Sequence, residues 1–136
     1  MCIVYSDCDL DRAIETTVRS SFANSGQICL CGSRILVEKS IYEEFLRRFV
    51  DRVRQTIVVG LPEESTTTMG PVVSFPHRDK IEQMIAVARE QGGKILLGGD
   101  RPTADWAAKG AFLNVSQSQC SYSLLFIDRV LLFLCV

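Results

Sequence analysis

Apolar positions along this chain follow two rhythms. Short unbroken runs at residues 2–5 (Cys-Ile-Val-Tyr), 33–37 (with Ile35, Leu36 and Val37 as the centre) and 94–97 have the length of strands. Between them the spacing changes to three or four. Ile14, Val18 and Phe22 form one stripe, Ile41, Phe45, Phe49 and Val53 a second, and Ile81, Ile85 and Ala88 a third. These stripes predict helices over roughly 11–24, 41–57 and 76–91. The punctuation agrees. Asp7, Asp9 and Asp11 offer N-cap oxygens to the first helix, and Gly26 is a natural place for it to stop. Ser40 and Glu43 spell a capping box before the second. Pro76 suits the first turn of the third, because proline there wastes no hydrogen bond. Gly92-Gly93 ends that helix, and Gly98-Gly99 closes the strand behind it. Residues 61–70 are a polar loop ending in Gly70-Pro71. The order strand, helix, strand, helix, helix, strand predicts a parallel α/β layer. No internal repeat is present.

The pattern changes after Asn114. Residues 116–123 are Ser, Gln, Cys and Tyr, and residues 124–136 are almost wholly apolar, interrupted by Asp128-Arg129. The run is too short and too broken for a membrane helix, which needs about 20 apolar residues. A buried strand pair or helix is one reading, and a sticky, poorly ordered tail is another. Residues 1–114 and 115–136 are thus expected to be separate units.

Composition narrows the class. The chain has 136 residues and is 47% hydrophobic, enough for one domain with a real core and against a disordered chain. Fifteen basic and 16 acidic residues leave a formal charge of -1, with no basic stripe among aromatics, so nucleic acid is not an expected partner. Six cysteines stand at 2, 8, 29, 31, 120 and 135, with no C-x-x-C pair. No signal peptide is recognisable, so reduced thiols in the cytoplasm are expected. In that setting Asn114-Val115-Ser116 is an accidental sequon. Cys2, Cys8, Cys120 and Cys135 read as small hydrophobes, His77 as a surface helix residue, and the Glu and Arg run over 43–54 as a solvated face. Cys29-x-Cys31 with one distant His77 falls short of a four-ligand zinc site, so no metal is expected.

The candidate chemistry lies at the first helix–strand junction. Phe22-Ala-Asn-Ser-Gly26-Gln27-Ile28-Cys29-Leu30-Cys31-Gly32-Ser33 places Cys29 after a Gly-Gln pair, where backbone N–H groups can stabilise a thiolate or an oxyanion. Phe22, Gly26, Gln27 and Cys29 resemble the active-site cysteine signature of the aldehyde dehydrogenase superfamily. The likeness extends over about residues 2–114. Ile3-Val4-Tyr5 and Asp7-Cys8-Asp9-Leu10-Asp11 are similar to its apolar strand and "D-A-D-L-D" stretch, with Cys8 for the usual Ala. Ser33-Arg34-Ile35-Leu36-Val37 resembles "S-R-I-x-V", and Ile41-Tyr42-Glu43-Glu44-Phe45 the start of its next helix. Gly60, Met69-Gly70-Pro71, Gly92 and Gly98-Gly99 keep its order. Gly110-Ala111-Phe112-Leu113-Asn114 resembles "G-x-F-x-x-P-T", but Val115-Ser116 replaces the Pro-Thr.

This resemblance implies an incomplete, parallel-sheet Rossmann-like half of an aldehyde dehydrogenase catalytic domain, followed by a non-family tail. It implies NAD(P)-dependent oxidation of an aldehyde to a carboxylate, with Cys29 as nucleophile, passing through a thiohemiacetal and a thioester. The Cys29 N–H would be one oxyanion donor. Ile28 and Leu30 would shape the pocket for a small aldehyde, and His77 and Lys80 would lie where NAD or NADP places its adenosine ribose. The spelling around Cys29 most resembles members acting on muconic semialdehydes. The family's Asn oxyanion donor, cofactor loop, general-base Glu and oligomerisation strands have no counterpart here, although the family is homo-oligomeric. The alternative is an inactive truncated product, an association partner of a full-length homologue, or a bare reactive thiol.

Overall fold

The computed structural model describes residues 1–120 and 127–133, with the backbone alone at Cys120 and in 127–133. The small-hydrophobe reading of the Cys120 side chain and of Cys135 lies outside what is described. The elements are β1 (Cys2–Val4), α1 (Leu10–Phe22), β2 (Arg34–Glu38), α2 (Tyr42–Thr56), α3 (Phe75–Glu90), β3 (Lys94–Leu97), β4 (Gln117–Cys120) and β5 (Ile127–Phe133). The three helices and first three strands lie within one or two residues of their predicted bounds.

Asp9 caps α1 by accepting from Arg12 N at 3.2 Å. The predicted capping box does not form. A 3-10 turn, Lys39–Ile41, precedes α2, so Ile41 rather than Ser40 occupies the N-cap position. The Ser40 hydroxyl instead donates to Glu38 Oε1 at 2.6 Å, while Ser6 N donates to Glu38 Oε2 at 2.8 Å. Those hydrogen bonds, Ser40's first, hold the Glu38 carboxyl below its ordinary range. At the end of α3, Gly92 takes φ +81°, its N–H reaches Arg89 O at 3.0 Å, and Gly93 N reaches Ala88 O at 2.7 Å. This is the paired closure of a Schellman motif, which only a left-handed residue permits without strain.

The strands form one five-stranded sheet in the order β1-β2-β5-β4-β3. β1 and β2 run parallel with Ile3 opposite Leu36, as the intervening α1 requires. β5 enters beside β2 and runs antiparallel to it and to β4, and β4 in turn pairs antiparallel with β3. The strands after Asn114 therefore stand inside the sheet, between the parallel pair and β3.

The predicted stripes face inward. Ile14, Val18 and Phe22 from α1, Ile35 and Val37 from β2, and Tyr42, Phe45, Phe49 and Val53 from α2 make the main core with Val4, Met69 and Val115. Ile81 and Ile85 from α3 join Val72, Ala111 and Leu113 in a second cluster. Ile41 and Ala88, at the stripe ends, are half-buried.

β4 departs from this apolar rule, since Ser116, Gln117, Ser118 and Gln119 are all buried. Gln117 is fully buried, and among the described residues neither its amide nitrogen nor its oxygen has a hydrogen-bond partner. An orphaned buried amide costs about 1–3 kcal/mol. Gln117→Met keeps the length and removes the orphan, so it is expected to raise the urea midpoint by that order of stability. A lowered midpoint would show that the amide is bonded in solution.

Candidate active site

α1 ends at Phe22, and the chain then makes a 3-10 turn over Ala23–Gly26 in which Asn24 (φ 52°), Ser25 (φ 57°) and Gly26 (φ 74°) are all left-handed. Two consecutive non-glycine residues with positive φ cost about 1–3 kcal/mol each, and such strain persists only where surroundings over-determine it. The bonds that hold it here are present. Asn24 Nδ2 donates to Gln27 O at 3.2 Å, and Gln27 N donates to Asn24 O at 3.1 Å. The Ser25 hydroxyl, buried, donates to Gly70 O at 3.0 Å. Gln27 Oε1 accepts from Val73 N at 3.0 Å. The turn is thereby tied to residues 70–73, the lead-in to α3.

Beyond it, Cys29 stands exposed with Ile28 and Leu30 beside it, Leu30 being 85% exposed. No group among the described residues accepts from the Cys29 N–H. Cys31 differs. It is half-buried, and its thiol donates to Ser21 O at 3.4 Å. Burial pushes the Cys31 thiol above its ordinary value, and the positive N-terminus and Ser33 offset this only in part. Iodoacetamide is therefore expected to label Cys29 before Cys31 at neutral pH. The Cys31 rate should keep rising with pH past the range where an ordinary thiol levels off, because the thiolate is the reacting form. Peptide mapping at several pH values checks this, and equal rates would refute the difference in burial.

Gly32 closes the site. Its N–H reaches Ser20 O at 3.0 Å, and the Ser21 hydroxyl donates to Gly32 O at 3.3 Å. A Cβ there would sit 2.7 Å from Cys2 Sγ and 2.8 Å from Ser20 Oγ, so a larger residue would have to turn those two side chains aside.

The predicted residues thus fall in two places. Ile28, Cys29 and Leu30 share one turn. His77, half-buried, and Lys80, exposed, lie on the first turns of α3, where Ser74 Oγ accepts from His77 N at 3.3 Å. The links between the two places, Ser25–Gly70 and Gln27–Val73, were not foreseen. Asn24 and Gly26 were the available signal, because Asn and Gly tolerate positive φ. Asp11 and Glu15, the carboxylates of α1, are engaged in ion pairs with Arg48 and Arg52 of α2. Among the described residues no group of three His, Cys, Asp or Glu could hold a metal ion.

Fold and site together define an α/β layer that, among the described residues, presents one exposed thiol just beyond a strained helix-to-strand turn. The chain belongs to the aldehyde dehydrogenase family, whose model matches residues 1–116. Over 96 residues, 71% of this chain, it is 48% identical to the 2-aminomuconic semialdehyde dehydrogenase of Bos taurus and 46% identical to that of Homo sapiens. It spans 20% of the length of those relatives. Betaine aldehyde dehydrogenase from Staphylococcus aureus, solved with NAD+, superposes with a TM-score of 0.79 at 36% identity, over 85% of this chain and 23% of that one. PnpE in complex with nicotinamide adenine dinucleotide superposes equally well, at 36% identity over 84% of this chain and 23% of that one. The chain thus corresponds to an α/β portion of the aldehyde dehydrogenases it matches.

Proposed function

We propose that this chain carries the nucleophile of an NAD(P)-dependent aldehyde dehydrogenase acting on a small aldehyde, in the cytoplasm, with Cys29 as that nucleophile. The exposed Cys29 thiol just beyond the strained turn is the observation that carries the reading. Its thiolate adds to the aldehyde carbonyl carbon, and the carbonyl oxygen, now an alkoxide, takes a proton to give a thiohemiacetal. The Cys29 N–H, without another acceptor, suits the developing oxyanion. Ile28 and Leu30 offer apolar contact to the aldehyde's carbon chain. The 2-aminomuconic semialdehyde relatives make a semialdehyde the first substrate to try.

A nicotinamide cofactor, if bound, would supply a hydride acceptor for such an adduct. His77 and Lys80, three residues apart on α3, lie on one helix face and fit contact with ribose hydroxyls. One imidazole and one ammonium do not hold a whole dinucleotide. Residues 115–136 are read as a tail divergent from the family in sequence, although its strands β4 and β5 lie within the same sheet.

The test is aldehyde-dependent NADH formation by the purified chain, with Cys29→Ala as control. Turnover lost in that variant supports an oxidising enzyme. A folded chain without turnover, in which the aldehyde protects Cys29 from iodoacetamide, supports the nucleophile alone. A chain in which Cys29 forms no aldehyde adduct refutes the assignment.

The second reading is an inactive chain that associates with a full-length homologue. The apolar exposure of Ile3 (49%) and Tyr5 (57%) at and beside the edge strand β1 favours it. Co-purification with a full-length homologue, weakened by Ile3→Lys, is its expected signature.

A further inference from the structure

We propose that Cys2 and Cys31 form a disulfide modification site, closed by oxidants of the peroxide class, that staples β1 to the turn carrying Cys29. This inference is independent of whether Cys29 turns over an aldehyde.

Both thiols lean on the last turn of α1. Cys2 Sγ lies 3.8 Å from Ser20 Oγ, and Cys31 Sγ lies 3.4 Å from Ser21 O. Gly32, the residue after Cys31, packs directly on Cys2, since a Cβ on Gly32 would be 2.7 Å from Cys2 Sγ. Adding one Cα–Cβ bond and one 3.8 Å Cα–Cα step puts Cys31 Cα within about 8 Å of the Cys2 sulfur. Burial is the main cause that raises the Cys31 thiol, and the neighbouring Cys2 thiol adds to it. The Cys31 sulfur is directed inward at Ser21, whereas Cys29 is exposed. Residues 31–33 have no regular secondary structure, so a shift to disulfide distance breaks neither a strand nor a helix.

Access comes through Cys2, which lines an open cleft with Tyr5, Asp7, Cys8 and Arg12. Its thiolate attacks one peroxide oxygen, the O–O bond breaks, and sulfenic acid and hydroxide form, the hydroxide taking up the proton that the Cys2 thiol released to become water. The Cys31 thiolate then attacks that sulfur, the S–S bond forms, and hydroxide leaves to take up the proton as a second water. Two thiols and one hydrogen peroxide give one disulfide and two waters.

The experiment treats the full chain with hydrogen peroxide at a dose that fully oxidises dithiothreitol. Remaining thiols are blocked with N-ethylmaleimide, and the product is mapped without reduction. The expected product is two hydrogens lighter, with a Cys2–Cys31 linked peptide and with Cys29 unlinked. Cys29→Ser should form the same link, and Cys2→Ser should not. A link from Cys29 to either cysteine, a Cys2–Cys8 link, or a chain that keeps both thiols at this dose would overturn the proposal.

Discussion

Phe49→Ala is expected to destabilise the chain by about 3–5 kcal/mol. Phe49 is fully buried in the middle of α2. Its ring stacks on Phe45 at 5.5 Å between centroids and tilts against Phe22 of α1 at 6.4 Å. It thus joins both helices of the main core to the last residue of α1, directly before the turn that carries Cys29. Truncation removes the apolar area and leaves a cavity that neighbours on two helices and a sheet cannot readily fill. Since a domain holds only about 5–15 kcal/mol in all, this one change removes a large share of it. Urea unfolding followed by circular dichroism measures the effect. A loss under about 1 kcal/mol would mean that the α1–α2 packing described here is wrong.

Gly98→Ala is expected to be nearly as harmful, for a different reason. Gly98 takes φ +57°, and a Cβ there would meet the Val115 backbone, its carbonyl carbon at 2.8 Å and its oxygen closer still. A left-handed alanine costs about 1–2 kcal/mol. Forcing backbone away from backbone adds about 1–3 kcal/mol, because no rotamer can relieve it. The displaced segment also carries the Asn114 N to Asp100 O bond (3.0 Å) and the Gly99 N to Ser116 Oγ bond (3.1 Å). Gly92→Ala is the control. Gly92 has φ +81° but open space around its missing side chain, so it should show the conformational cost alone. If the two variants unfold at the same urea concentration, the close approach of residues 98 and 115 does not hold in solution.

Much of this was legible in advance because it is local. A stripe such as Phe45, Phe49 and Val53 declares a helix and its buried face at once, since its members lie one turn apart. Asp9, Pro76 and Gly92-Gly93 mark helix ends through bonds made within a few residues. The Ser40–Glu43 box failed on the same scale. Ser40 had a competing partner in Glu38, and the helix began one residue later than the motif required. The exposed Cys29 turn was also local, a thiol after a Gly-Gln pair between two well-patterned elements.

By itself, then, the sequence determined the three helices, the first three strands, the inward faces and the membership of Cys29 in a recognisable family signature. Only the tertiary structure decided the position of β4 and β5 inside the sheet, the antiparallel pairings that follow, and the orphaned amide of Gln117. It alone brought Ser25 to Gly70, Gln27 to Val73 and Cys2 to the neighbour of Cys31. The reason is the range of the forces involved. Periodicity and capping are written in residues three or four apart, whereas strand order and cross-chain contacts join residues tens of positions apart. Those contacts depend on which faces remain to be covered once the local elements have formed.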